Sequence, residues 1–140
     1  MDKLRETLIS HEGSNKYVYT DSLGYSTIAV GRCVDFHCHH GLSDDEIAYL
    51  LQNDINSFQK QLMNKDFYSS QSEVRKEVLI ELVFNMGMEH LEGFENFLAA
   101  MLGEDYPKAV NELKDSLWAN QVHEERVNNI CYRLLNDAYP

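Results

Sequence analysis

Long apolar runs are missing from these 140 residues. No stretch approaches the roughly 20 apolar residues of a membrane-spanning helix, so membrane insertion is not expected. The opening Met1-Asp2-Lys3-Leu4-Arg5-Glu6 lacks the basic-then-apolar order of a secretion signal. The expectation is a protein that starts in the cytoplasm and needs help to cross a membrane. Cations are scarce: 12 Lys and Arg against 23 Asp and Glu give a net charge of −11, which argues against a nucleic-acid partner. Prolines number two, and there is no low-complexity tract and no internal repeat, which excludes Pro-rich linkers and solenoids. Cysteines number three, an odd count without an export signal, so free thiols are the default expectation.

What is present reads as one globular domain, with room for two lobes. Hydrophobic residues make up 44%, enough to build a core without staples. Residues 89–105 hold Glu89, Glu92, Glu95, Glu104 and Asp105 and no Lys or Arg. That stretch reads as a solvated face.

Leu4, Leu8 and Ile9 recur at helical spacing over residues 2–12, and Gly13 is a natural stop. Glu12 then occupies the last helical turn. Residues 17–20 and 25–34 are rich in β-formers, and Asp21-Ser22-Leu23-Gly24 between them has turn chemistry. The expectation is a hairpin with Asp21 at its turn and Thr27 on its second strand. Ser43-Asp44-Asp45-Glu46 is a capping box that opens a helix of about 20 residues. Ile47, Leu50, Leu51, Ile55, Phe58 and Leu62 pattern that helix. Four further apolar segments, around Val74–Met86, Phe94–Met101, Ala109–Leu117 and Val127–Leu135, read as helices. The fold class is therefore α+β, with one hairpin and about six helices.

Cleaving a glycosidic bond commonly takes two carboxyl groups, one donating a proton to the departing oxygen and one ionised across a cleft. Glu12 at a helix end and Asp21 at a hairpin turn suit those roles, and Thr27 on the next strand can hold a water. By itself a Glu and an Asp nine residues apart occur by chance in many chains.

The combination is more specific. Glu12-Gly13 follows an apolar helix; Tyr19-x-Asp21-x-x-Gly24-x-x-Thr27-Ile28-x-x-Gly31 comes next. This resembles the signature of the phage-type lysozymes, glycoside hydrolase family 24. Gly41–Glu46 with Leu50–Asp54 resembles the start of the family's interlobe helix. Val83-Phe84-Asn85-Met86-Gly87, Gly93-Phe94, Trp118–Gln121 and Arg126-Val127 resemble its later landmarks.

The resemblance implies a lysozyme-like fold. A small β lobe (about 13–42) joins through an interlobe helix (43–63) to a helical lobe (64–140 with 1–12). It implies a muramidase that cuts the β-1,4 bond between N-acetylmuramic acid and N-acetylglucosamine in peptidoglycan, usually with inversion. Glu12 is then the general acid, with Asp21 and Thr27 on the opposite side. Phe84 and Asn85 contact substrate, although Phe84 also reads as core. The partner is the glycan strand, the protein acts as a monomer, and no metal or organic cofactor takes part. Arg126 matches either the family's arginine that pairs with the catalytic Glu or its neighbour; a structural salt bridge is the alternative. The implied role is that of a phage endolysin released from the host cytoplasm to the wall. A secreted antibacterial effector, or a wall-binding module that has lost catalysis, would carry much of the same sequence.

Three features depart from that pattern. Cys33-Val34-Asp35-Phe36-His37-Cys38-His39-His40 holds metal-ligand residue types at a spacing that fits no standard zinc motif. Plain loop residues are the favoured reading, ahead of a metal site or a Cys33–Cys38 disulfide. Arg32 needs an acidic partner, with Asp66 one candidate, and Cys131 falls on an apolar helical face. The net charge of −11 makes steering toward an anionic wall repulsive.

Overall fold

A computed structural model describes residues 1–140, which divide into two units, Met1–Leu50 and Leu51–Pro140. The division falls inside one helix.

In the first unit, α1 (Asp2–Glu12) ends where the Gly13 N–H bonds back to the Ile9 carbonyl at 2.9 Å. Gly13 has φ +77°, a conformation that costs a side chain but not glycine. The chain turns there into β1 (Asn15–Thr20), which pairs antiparallel with β2 (Ser26–Ala29), Tyr19 opposite Thr27. A third strand, β3 (Arg32–Cys33), continues the sheet in the order β1-β2-β3, Thr27 opposite Cys33. The sequence led us to expect a hairpin alone; two residues are too short to announce a strand by alternation. A 3-10 turn (Phe36–His37–Cys38) follows, with the Asp35 side chain accepting the His37 N–H.

The helix α2 (Asp44–Leu62) begins at the expected capping box. The Ser43 N–H donates to Glu46 Oε2 at 2.8 Å, and the Glu46 N–H donates to Ser43 Oγ at 3.3 Å. Arg32 grips the same carboxylate with two nitrogens, at 2.9 and 2.8 Å, so its partner is Glu46 rather than Asp66.

The second unit is helical: α3 (Asp66–Ser69), α4 (Glu73–Met86), α5 (Met88–Glu92), α6 (Glu95–Leu102), α7 (Tyr106–Lys114), α8 (Leu117–Gln121) and α9 (Glu124–Asn136). Here α4 packs on α9, α6 on α7, and α7 on α9. Leu62, Leu79, Leu82, Leu91, Phe97, Met101, Leu113, Ile130 and Leu134 are fully enclosed. Each such side chain contributes about 1.5–3 kcal/mol of transfer free energy. Cys131 joins this core as expected, and burial pushes its thiol pKa up. Nine α-helices form where about six were expected. The extra ones, α3, α5 and α8, have four or five residues each and are held by packing rather than propensity.

Every buried hydrophobic side chain lies in residues 51–140; in residues 1–50 only Thr27 is buried. The first unit is therefore held by its strand ladder, the Arg32–Glu46 pair and a covalent link. That link is a Cys33–Cys38 disulfide. It corrects both the free-thiol expectation and the reading of this stretch as plain loop. A small unit without a core commonly relies on such staples.

Candidate active site

The first unit gathers three of the expected site residues around one sheet. Asp21 sits in the β1–β2 turn, where its Oδ1 accepts the N–H groups of Leu23 and Tyr25, each at 2.9 Å. Its own N–H donates to the Tyr25 carbonyl at 2.9 Å. These bonds fix the carboxylate's orientation and leave its second oxygen, Oδ2, without a protein donor. Thr27 is 3% exposed, and its hydroxyl donates to the Tyr25 carbonyl at 3.1 Å. With its proton so placed, the Thr27 oxygen can accept a hydrogen bond but not readily give one. The peptide groups of Tyr25 thus join Asp21 to Thr27, a coupling that no side-chain motif announces.

Glu12, the last residue of α1, is exposed. Its carboxyl lies over Gly31, which follows β2 and has φ +68°. A Cβ at Gly31 would come 2.9 Å from Glu12 Oε2 and 3.3 Å from its Cδ. The positive φ calls for glycine there, and an added Cβ would push the Glu12 carboxyl from its seat. One exposed carboxyl and one carboxylate oriented by backbone donors are the pair that acid-assisted attack of water on an acetal uses, and an acceptor hydroxyl can hold that water.

The loop after the sheet is electrostatically set. Hydrogen bonds from the His37 N–H and then its ring hold the Asp35 carboxyl below its ordinary pKa. Hydrogen bonding from Arg32, then from the Ser43 N–H, holds Glu46 down to about 2. The cysteines of this loop are bonded to each other, so neither offers a thiolate to a metal.

In the second unit, Phe84 is 46% exposed and not core. Its ring meets Phe58 edge-on at 5.5 Å. It lines a groove of about 470 Å³ with Leu51, Ile55, Ile80, Glu81 and Arg126. Asn85 Oδ1 accepts the Trp118 indole N–H at 2.7 Å, which leaves its amide N–H₂ as the group available to a ligand. Arg126 pairs with Glu81, Nε to Oε1 at 3.5 Å. Glu81 also accepts from Arg133, whose side chain is 4% exposed and whose Nε has no partner. Sequence reasoning overlooked Glu81, because a lone glutamate inside a helix carries no motif.

A mostly helical chain with a small antiparallel sheet is the lysozyme-like α+β architecture. The family model described as Phage lysozyme matches residues 9–133, and the chain belongs to that family. The chain is 21% identical over 148 residues to probable T4-type lysozyme 1 of Dictyostelium discoideum, covering 86% of this chain and 87% of that protein. It is 24% identical over 144 residues to the pre-baseplate central spike protein Gp5 of Enterobacteria phage T4. That match covers 84% of this chain but 25% of the spike protein, so the chain spans about a quarter of that relative's length.

Proposed function

We propose that the chain is a muramidase that hydrolyses the β-1,4 bond between N-acetylmuramic acid and N-acetylglucosamine in peptidoglycan. Glu12 donates its proton to the departing glycosidic oxygen. Asp21, oriented by the turn, assists the incoming water through Oδ2, while Thr27 accepts a hydrogen bond from it. Phe84 and the Asn85 amide contact the glycan, and Arg126 orients the wall of the groove that Phe84 lines. The protein acts as a monomer on the glycan strand, in the role of a phage endolysin released to the host wall.

The observation that carries this reading is the seating of Glu12 on Gly31, just beyond the strand whose Thr27 is joined to Asp21 through Tyr25. Family membership supports it independently. The test is Glu12→Gln on purified sacculi, with mass spectrometry of the released fragments. Loss of an acid–base group costs about 10²- to 10⁴-fold, so fragment release should nearly vanish while circular dichroism is unchanged. Full activity in Glu12→Gln would place the acid elsewhere. Reducing ends at N-acetylglucosamine instead of N-acetylmuramic acid would change the bond assigned.

A further inference from the structure

The strand opposite Thr27 is anchored unevenly. β3 has two residues. Its first, Arg32, is fastened to α2 through Glu46. Its second, Cys33, faces Thr27 across the ladder and has no comparable side-chain anchor apart from its bond to Cys38. Beyond Cys33, the Val34 N–H donates to the Ser26 carbonyl at 2.8 Å. The Ser26 N–H donates to Asp35 at the long distance of 3.5 Å. The segment from Cys33 to Cys38 thus wraps the residue preceding Thr27, and the disulfide closes the wrap. Thr27 is the single buried residue of a unit without an apolar core, so its enclosure depends on the strands on either side of it.

We propose that the Cys33–Cys38 disulfide positions Thr27 for the attack of water and makes the hydrolytic step depend on redox state. This rests on the reading of Thr27 as a catalytic group. Cys33 itself is a positioning residue, since it acts through Thr27. Reduction takes two electrons and two protons from a dithiol, or from two monothiols. The S–S bond breaks, Cys33 and Cys38 become thiols, and the donor leaves as its own disulfide. Asp35 is then left to hold the 3-10 turn, the Cys33 end of β3 frays, and the Thr27 hydroxyl loses its fixed place. Both cysteines are part-exposed on a loop whose Phe36, His37 and His39 are exposed, so a small thiol can reach the bond. Cys131 is 4% exposed, which keeps a third thiol out of the exchange. The oxidised form is the active one; a reducing compartment leaves the site slack and an oxidising one sets it.

The experiment compares the oxidised full chain, the chain reduced by a dithiol, and Cys33→Ser/Cys38→Ser, on purified sacculi. Hydrogen exchange at the Val34 amide is read alongside. Reduction should lower kcat about fivefold or more, with the half-saturating wall concentration little changed, because the lost interaction is made in the transition state. Val34 protection should fall about tenfold, and reoxidation should restore both. The double serine variant should sit at the reduced level with or without dithiol. Unchanged kcat and unchanged Val34 protection in the reduced wild type would overturn the proposal. So would a change confined to half-saturation, or a double variant as active as the oxidised protein. An oxidised wild type without hydrolysis takes down the muramidase reading and this one with it. Failure of the redox comparison alone leaves the muramidase reading standing.

Discussion

Replacing Glu81 by Gln strips the negative charge from a carboxylate that holds two arginines. Arg133 is enclosed, at 4% side-chain exposure, while the Glu81 side chain is 33% exposed. Removing one partner of a buried pair costs about 3–5 kcal/mol, because the other charge stays stranded in a low-dielectric interior. The exposure of Glu81 gives Arg133 some access to water, and the Gln amide oxygen can still accept one bond. Those two effects bring the expected loss to about 2–3 kcal/mol. Arg133→Met removes the stranded cation together with its unpartnered Nε, and the Met chain refills most of the stem's volume. Glu81 keeps Arg126 and its contact with water, so that variant should lose about 1 kcal/mol or less. The double variant should recover most of what Glu81→Gln loses, a coupling of about 1.5–2 kcal/mol. Urea unfolding followed by the single tryptophan, Trp118, reports on the second unit, where Trp118 is buried. At a slope of about 1–1.5 kcal/mol/M, the Glu81→Gln midpoint should drop by about 2 M and the Arg133→Met midpoint by under 1 M. Equal losses in the two single variants, or additivity in the double, would refute the asymmetry.

Three other outcomes are expected. Gly31→Ala forces a Cβ to 2.9 Å from the Glu12 carboxyl at a positive φ; it should cost about 1–2 kcal/mol in the first unit and lower lysis more than tenfold, and wild-type lysis rates would refute it. The Glu46 carboxyl is held down to about 2, so its support for the fold is fully present above the ordinary carboxylate range of about 4.5 and is lost as pH falls through about 2. Glu46→Gln should therefore lower Cys33 and Val34 amide protection at neutral pH and flatten its pH dependence between those limits; superimposable profiles by hydrogen exchange would refute this. Because a charge of −11 repels an anionic wall, raising salt from 50 to 200 mM should increase lysis of whole walls or leave it unchanged, and a steep loss in a turbidity assay would refute that.

The elements that announced themselves were those with a local physical cause. Gly13 stops α1, and the Ser43–Glu46 capping box starts α2 within a residue of its expected place. Asp21 stands in its turn and Thr27 on its strand because turn chemistry and β-branching act at short range. The misses needed contacts that no local sequence pattern specifies. β3 exists because β2 offers an edge, and the disulfide forms because the 3-10 turn brings Cys38 back to Cys33. Arg32 selects Glu46 because the capping box has already oriented that carboxylate toward the start of α2. Phe84, being apolar, also reads as core, yet it emerges near the end of α4 and is 46% exposed. Asn85 was legible as polar and near a landmark, but its lock to Trp118 spans 33 residues.

The placement of every enclosed apolar side chain after residue 50 has a practical sequel. On the proposed mechanism, a warmed sample can lose its lytic power while its fluorescence still looks native, because the reporter Trp118 and the residues Glu12, Asp21 and Thr27 belong to different halves of the polypeptide. Storage trials judged by optical melting alone would then overstate shelf life. An engineer seeking a hardier enzyme gains more from filling the underside of the little sheet than from repacking the helices.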